Sequence, residues 1–205
     1  GEAQELEMYT DFPSPENLPR GSGQRVKVIL LMGQSNATGC SLVSYLEKGV
    51  STGEFDQLRQ GFPSVQINFC IDDHSNSSYG AFRPVDLTCG SSEGRFGPEV
   101  GMAQELAQAY PEETVFILKY PMSGYSLHHH WLCAGQRGSI YEAFLKFAQT
   151  YMEQLRACNY DARIGAVCWM QGESDTTYYK ASKYYDNQKA FVGYLREDFK
   201  DYAEG

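Results

Sequence analysis

The sequence stretch Val26-Lys27-Val28-Ile29-Leu30-Leu31-Met32-Gly33-Gln34-Ser35-Asn36-Ala37-Thr38-Gly39 joins an apolar run to a short polar turn. Its first half is rich in β-branched and aliphatic residues, which is typical of a buried strand. In an open α/β sheet, ligands bind beyond the carboxyl ends of the strands. The stretch therefore predicts a strand and a tight turn that presents Ser35 at that edge, with Gly33 placed where a Cβ would clash.

A second stretch, Arg163-Ile164-Gly165-Ala166-Val167-Cys168-Trp169-Met170, repeats this pattern and ends in the polar segment Gln171-Gly172-Glu173-Ser174-Asp175. Because the carboxyl ends of parallel strands meet at one edge of a sheet, we expect this segment to lie near the Ser35 turn. Each stretch alone also fits a strand followed by a helix with a polar cap and no chemistry.

The rest of the chain alternates predicted strands and helices, which indicates an α/β fold with a mostly parallel sheet. Further strands are expected at Ser64–Cys70 and Thr114–Tyr120. Helices are expected from Gly97-Pro98-Glu99, where proline suits the first turn, and at Tyr141–Cys158 and Ala181–Tyr202.

Two segments stand outside this alternation. Residues 1–24 contain three prolines and predict an extended N-terminal arm that lies on or off the domain, which itself spans residues 25–205. The segment Asp72–Arg95 is rich in serine, glycine and asparagine, and it predicts a surface excursion or a lid.

Composition narrows the class of protein. A chain of 205 residues, 42% hydrophobic and 21% charged, supports one domain with a real core. The 17 basic and 26 acidic residues give a net charge of −9, which argues against nucleic acid or an anionic membrane as a partner. No apolar run approaches the ~20 residues of a membrane span.

The six cysteines are many for a cytosolic enzyme of this size, and they favour a secreted or periplasmic protein whose signal has been removed. Cys168 is expected to be a buried thiol within a strand, whereas Cys70 lies at a strand end. Cys40, Cys89 and Cys133 fall in predicted loops, where they could form disulfides.

Together, the two polar strand ends resemble the SGNH hydrolases, specifically the sialate O-acetylesterase-like carbohydrate esterases. The Gly-Gln-Ser-Asn signature of that family is matched by residues 33–36 with Gly39, and its Trp-x-Gln-Gly-Glu-x-Asp signature by residues 169–175. Gly97-Pro98-Glu99 and the small-residue turn at residues 123–127 match two more family features in the right order.

The resemblance implies a three-layer α/β/α, flavodoxin-like fold with a parallel sheet. It also implies a serine esterase of the acetylxylan or sialic acid acetylesterase type, which acts on acetylated carbohydrates and needs no metal or cofactor. In this family pattern Ser35 is the nucleophile. The oxyanion hole is formed by the backbone N–H groups of Ser35 and Gly124 with the side-chain amide of Gln171.

Supporting roles are expected for four further polar residues of the two signatures, Gln34, Asn36, Glu173 and Asp175. Simpler roles stay open for several members of the site. Glu173 and Asp175 also suit the N-cap of a helix. Gln171 could tie two loops together, and Gly124 could serve only as a turn glycine.

The sequence departs from the family pattern at the catalytic base. The pattern places a histidine in an Asp-x-x-His motif after one further strand, but this sequence contains no such motif and ends at Gly205, directly after the last predicted helix. Four explanations are open. The chain is a fragment that lacks the last strand, it is a degenerate family member, the base comes from elsewhere, or the remainder is a separate chain.

Three adjacent histidines, His128, His129 and His130, follow the Gly124 turn. They could supply a substitute base, and His128 and His129 with the neighbouring Trp131 could contact the substrate. Exposed histidines beside Cys133 could also bind a metal. The simplest alternative is a solvated or packed loop, because neither a ligand geometry nor a carboxylate partner is evident.

Two arginines and several tyrosines are weaker candidates for contacts with a sugar. Arg83 and Arg95 could each contact an acidic sugar such as sialate through a bidentate fork, although such arginines are more often plain surface residues. Several tyrosines follow the second signature, where they could pack the last helix or stack on a sugar ring: Tyr178, Tyr179, Tyr184 and Tyr185.

Two further classes of protein compete with an esterase. A carbohydrate-binding domain would keep the pocket and lack the base, and it would bind an acetylated sugar without releasing acetate. A nucleotide- or flavin-binding domain would need a phosphate-binding glycine loop, whose spacing is absent. If the last strand is missing, the fourth strand becomes an exposed edge, which predicts a homodimer.

Overall fold

The structure is a computed structural model that describes residues 5–16, 18–170 and 178–204, with the side chains of residues 178–182 left out of the description. The strands are β1 (Arg25–Gly33), β2 (Ser41–Leu42), β3 (Phe62–Ile71), β4 (Asn76–Ser77), β5 (Arg83–Val85), β6 (Arg95–Phe96), β7 (Val115–Pro121), β8 (Leu132–Cys133), β9 (Gln136–Arg137) and β10 (Asp161–Met170).

The α-helices are α1 (Ser35–Thr38), α2 (Val43–Gly49), α3 (Thr52–Gln60), α4 (Glu99–Ala109), α5 (Ser139–Ala157) and α6 (Tyr178–Asp198). A π-helix spans Leu127–Trp131 and a 3₁₀-helix spans Lys200–Tyr202. The four predicted main strands and the three predicted long helices are confirmed, with ends that move by one to four residues. No helix in the described ranges combines the length and the apolar character needed to cross a bilayer.

Four parallel strands form the centre of the sheet in the order β10-β1-β7-β3. The short strands β4 and β5 continue it by antiparallel pairing with β3. The strand β1 thus lies between β7 and β10, the two strands that lead to the other predicted site segments. This order brings the three strand ends predicted to form the site next to one another.

Side chains of β1 alternate between the two faces of the sheet, as the period of two in a strand requires. Val28 and Leu30 point to the face covered by α5 and α6, whereas Ile29 and Leu31 point to the face covered by α3 and α4. Both faces are covered, so the central strands are apolar throughout their length. The predicted three-layer α/β/α architecture is confirmed.

The segment Asp72–Arg95 is not a lid, and the prediction made for it is wrong. It carries β4 and β5, and it packs Val85, Leu87 and Cys89 into the core on the α4 side of the sheet. Its polar residues are used inside the protein. The Ser78 hydroxyl, for example, accepts from the Phe69 N–H at 3.0 Å and donates to Asn68 Oδ1 at 3.2 Å, and these bonds hold the segment against β3.

The described part of the N-terminal arm lies on the domain, against α5. Phe12 packs edge-on against Phe147, with ring centroids 5.4 Å apart. The Tyr151 hydroxyl donates to the Pro13 carbonyl at 2.8 Å. The arm therefore covers aromatic side chains of α5 that would otherwise meet water.

All six cysteines lie in described residues, and all six are free thiols. The disulfides considered for the loop cysteines are therefore not formed in this structure. Cys89 is fully buried beside the sheet, whereas Cys40 is exposed. Burial raises the pKa of the Cys70 thiol to about 12 and also raises the pKa of Cys89, so both stay protonated at neutral pH.

Candidate active site

Gly33 is the point at which the three site strands meet. It is in register with Pro121 of β7 on one side and with Met170 of β10 on the other. Its φ is 141°, and a Cβ built on it would lie 1.9 Å from the Met170 carbonyl oxygen. Only glycine fits this position, so the prediction that Gly33 permits the turn is confirmed.

Hydrogen bonds fix the turn after Gly33 to both neighbouring strands. The Gln34 N–H donates to the Met170 carbonyl at 2.8 Å, and the Met122 N–H donates to the Gly33 carbonyl at 2.9 Å. Ser35 follows as the first residue of α1 and is half-buried. Gln34 is buried and Asn36 is exposed, so Ser35 lies at the boundary between the protein interior and solvent.

The turn after β7 lies beside α1. The Thr38 hydroxyl donates to the Ser35 carbonyl at 2.6 Å, and the Ser123 hydroxyl lies 3.1 Å from the same Thr38 oxygen. Since a hydroxyl has one proton, Ser123 donates in the second bond. The Gly124 residue that follows is exposed with a φ of 78°, and a Cβ there would meet nothing within 4 Å. The left-handed backbone conformation at position 124 therefore favours glycine, although there is space for a side chain.

Asp72 also holds the turn after β7. Its carboxylate Oδ1 accepts from the Ser123 N–H at 2.6 Å, a short charge-assisted bond. Asp72, Asp73 and His74 all have left-handed φ values, of 48°, 55° and 77°. Sequence reasoning did not assign this role to Asp72, because the run of polar residues around it indicated only a loop.

The arm packs on this left-handed turn. The Tyr9 ring lies edge-on to the His74 ring at 4.2 Å, and the Tyr9 N–H donates to Asp73 Oδ1 at 3.0 Å. Burial lowers the pKa of His74, so its imidazole is neutral at pH 7. The arm thus packs against the turn at residues 72–74, and that turn binds the Ser123 N–H through Asp72.

Three predicted site residues, Gln171, Glu173 and Asp175, lie outside the described residues. The roles expected for these three residues therefore remain predictions. Their attachment point is fixed, because Met170 ends β10 directly beside Gly33.

The predicted histidine loop is a π-helix, an uncommon element that is often found at functional sites. His130 Nδ1 accepts from the Ser126 N–H at 3.0 Å, and the Asn187 amide nitrogen lies 2.9 Å from His128 Nδ1. A backbone N–H always donates, so neutral His130 carries its proton on Nε2. A neutral imidazole of this form donates from Nε2.

Trp131 is fully buried, and its ring packs edge-on against Trp169 at 4.9 Å. This position favours core packing over the predicted substrate contact, because the ring presents no surface to a ligand. Arg95 donates to the Cys40 carbonyl at 2.7 Å, and Arg83 donates to the Thr88 carbonyl at 3.1 Å. Both arginines therefore hold loops together, a role that differs from both the sugar contact and the plain surface position considered for them.

Sequence reasoning missed a buried ion pair below α1. Lys119 of β7 and Glu99 of α4 are both fully buried, with Nζ and Oε2 2.8 Å apart. The available signal was a lysine in the middle of an apolar strand, where a charge needs a partner. Among the described residues, no group of three or more histidine, cysteine or acidic side chains has the arrangement of a metal site.

The fold and the serine turn define a class of protein. A mainly parallel sheet between two helical layers is consistent with a three-layer SGNH-like fold. The chain belongs to the carbohydrate esterase family of sialic acid-specific acetylesterases, whose model matches residues 25–202. Members of this class are carbohydrate esterases of the acetylesterase type, which at a coarse level are carboxylic ester hydrolases.

Solved structures share the fold. The chain is similar to a protein from Arabidopsis thaliana with 20% identity and a TM-score of 0.57, over 86% of this chain and 70% of that one. It is also similar to a carbohydrate acetylesterase from Xanthomonas citri with 16% identity and a TM-score of 0.51, over 84% of this chain and 38% of that one. None of the curated proteins matches the sequence.

Proposed function

We propose that the protein is a serine esterase that hydrolyses O-acetyl groups of carbohydrates through an acyl-enzyme on Ser35. The observation that supports this most directly is the position of Ser35. It is half-buried at the junction of three strand ends, in a chain that belongs to a carbohydrate esterase family. A serine on such a turn can reach a ligand beyond the sheet while its backbone stays fixed.

In the proposed reaction the Ser35 hydroxyl attacks the acetyl carbonyl as a base takes its proton. The sugar oxygen leaves with that proton, and the acetyl group stays on Ser35. Water then attacks the acyl-enzyme, releases acetate and restores the hydroxyl. The tetrahedral oxyanion would accept from the N–H groups of Ser35 and Gly124 and from the Gln171 amide. Each such donor typically lowers the barrier by about 3 kcal/mol.

The base in this proposal comes from the histidine π-helix or from outside the 205 residues. His130 Nδ1 accepts from the Ser126 N–H, so Nε2 carries the proton of the neutral ring, and His128 Nδ1 contacts the Asn187 side-chain amide. Each of the three histidines is therefore to be mutated singly. Glu173 is proposed to orient the base or the serine, as the family resemblance implies.

A second candidate is a carbohydrate-binding domain that binds acetylated sugars without hydrolysing them. The observation that favours it is that His130 Nδ1 accepts from the Ser126 N–H, because a neutral ring with its proton on Nε2 does not accept the serine proton at that atom. The two candidates differ in turnover and share a binding site.

The test is acetate release from 4-nitrophenyl acetate and from an acetylated monosaccharide, with Ser35→Ala as the key variant. Ser41→Ala, an exposed serine on β2, is the matched control. We expect turnover that Ser35→Ala abolishes and Ser41→Ala leaves unchanged, because Ser35 lies at the strand junction and Ser41 lies on β2. Equal turnover in wild type and Ser35→Ala would contradict the proposal. Binding of the acetylated sugar without turnover would support the second candidate.

A further inference from the structure

The buried ion pair between Lys119 and Glu99 is not used by the chemistry proposed above. Both side chains have no exposed surface, and they lie directly below the serine turn. Burial of two charges is costly, and replacing such a pair by apolar residues is often neutral or stabilising. A contribution to stability therefore does not explain this pair well. Its position below the serine turn suggests a role in the site instead.

The Lys119 ammonium binds three segments at once. Its three N–H donors match three acceptors, which are Glu99 Oε2 at 2.8 Å, the Thr38 carbonyl at 2.8 Å and the Cys89 carbonyl at 2.9 Å. These acceptors belong to α4, to α1 and to the segment before β6. All the donors of an ammonium are thus satisfied, which a buried lysine requires.

Glu99 places the ammonium and is itself held on both oxygens. Its Oε1 accepts from the Gly97 N–H at 3.0 Å, while Oε2 binds Lys119. Gly97 in turn lies against Gly39 at the end of α1, where a Cβ on Gly97 would meet the Gly39 Cα at 2.7 Å. The start of α4 and the end of α1 are therefore packed backbone to backbone around the ion pair.

Thr38 connects the ion pair to the nucleophile. Its carbonyl accepts from Lys119, and its hydroxyl donates to the Ser35 carbonyl and accepts from Ser123. The helix α1 has only four residues, a length that is not stable by itself. Its orientation must come from such external contacts. The Lys119 bond and the Ser123 bond reach it from below and from the side of the Gly124 turn.

We propose that Lys119, held by Glu99, is a positioning residue that sets the orientation of the Ser35 turn relative to the Gly124 turn. This inference rests on the proposed function for its catalytic consequence, and its structural part does not depend on turnover. A misplacement of about 1 Å at a reacting group can cost about a hundredfold in rate. The substrate would still bind, so the loss would fall on kcat.

The key variant is the double substitution Lys119→Met with Glu99→Gln. It leaves no unpaired charge in the core, and the glutamine oxygen still accepts from the Gly97 N–H. Leu155→Ala is the control, because it removes buried volume from α5 on the other face of the sheet. Urea unfolding measures the free energy of unfolding of both variants, so that their activities are compared at known stability.

We expect the double variant to fold and to lose at least tenfold in kcat for 4-nitrophenyl acetate, with KM changed by less than about twofold. Leu155→Ala should keep kcat within about twofold of wild type. Hydrogen exchange supplies a readout that needs no turnover. The Thr38 and Gly39 amides, which donate within α1, should exchange at least tenfold faster in the double variant, while β1 amides stay protected.

The outcomes separate the two proposals. If wild type shows no turnover that depends on Ser35, the esterase proposal fails and the exchange of α1 amides still decides the positioning role. If turnover and α1 exchange both stay at wild-type values in the double variant, Lys119 is not a positioning residue. A loss of kcat in Leu155→Ala equal to that of the double variant would likewise overturn the inference, because the effect would then follow stability alone.

Discussion

At the scale of single residues, the site depends on backbone positions more than on side chains. Gly33 is enclosed by the Met170 backbone, and Gly124 stands in open space with a left-handed φ. Two glycines thus serve the same site for different physical reasons. The first allows close approach of two strands, whereas the second allows a conformation that L-residues rarely adopt.

This difference predicts the effect of Gly33→Ala. The added methyl would overlap the Met170 carbonyl oxygen, and the positive φ adds strain, so we expect a loss of about 3 kcal/mol or more in the free energy of unfolding. The matched control is Gly101→Ala in α4, where a Cβ meets nothing within 4 Å. That variant should gain about 0.5–1 kcal/mol. Urea denaturation measures both, and a Gly33→Ala protein as stable as wild type would refute the packing argument.

At the scale of elements, a cluster of hydrogen bonds ties the C-terminal end of α6 to the domain. Arg137 of β9 binds Asp198 through two bonds of 2.9 and 2.8 Å, and the Tyr141 hydroxyl donates to the same carboxylate at 2.6 Å. Burial alone would raise the pKa of Asp198, but the hydrogen bonds from Arg137 and Tyr141 outweigh it and hold that pKa below its usual value. The cluster thus anchors the helix that also positions Asn187 beside His128.

The cluster predicts a pH-dependent loss in Asp198→Asn. We expect a loss of about 1–3 kcal/mol in the free energy of unfolding at pH 7, because charge-assisted bonds to Arg137 are replaced by neutral ones. A carboxylate with a depressed pKa stabilises the fold above the pKa of the unfolded chain, near 3.9. The difference from wild type should therefore shrink as the pH falls below about 4. Asp186→Asn, an exposed change on the same helix, is the control. A loss that did not vary with pH would contradict this account.

The elements also show what the sequence could predict. The order of strands and helices followed from apolar runs and from apolar residues at helical spacing, and the Ser35 turn followed from Gly33. The segment Asp72–Arg95 was misjudged because its serine, glycine and asparagine content is typical of exposed loops. Its side chains are instead hydrogen-bonded to β3 in the interior. Composition does not reveal partners that lie far away in the chain.

The same limit applies to the candidate site. The lysine of β7 stood out in an apolar strand, but its partner Glu99 lies 20 residues away, on a helix packed against the sheet. Only the tertiary arrangement brings these two residues to Thr38. The role of Asp72 was hidden for a similar reason, since its carboxylate binds a backbone N–H that is 51 residues away in the chain.

At the scale of the whole molecule, β10 is the outer strand of the described sheet on one side. Its middle residues are exposed, including Val167 at 42%, and the adjacent Val192 of α6 is 41% exposed. The bridge between Ile164 and Ala203 covers only the beginning of this edge. An open strand edge flanked by apolar side chains favours pairing with another strand.

We therefore expect the 205-residue chain to form a homodimer in which two copies of β10 pair. Light scattering should show twice the monomer mass, and Val167→Lys should shift the chain toward monomer, because a charge on an edge strand disfavours pairing. Tyr45→Lys, at an exposed aromatic residue of α2, is the control and should leave the mass unchanged. A wild-type chain that is monomeric at high concentration would refute the dimer.

The packing of the arm has a practical consequence for how the protein is divided. The family match begins at residue 25, yet Phe12 and Pro13 lie on Phe147 and Tyr151 of α5. A recombinant protein that begins at residue 25 would expose these aromatic rings to solvent. It would also lose the contacts of Tyr9 with the turn at residues 72–74. The packed domain therefore includes residues before the family match at residues 25–202, and an expressed protein should include the N-terminal arm.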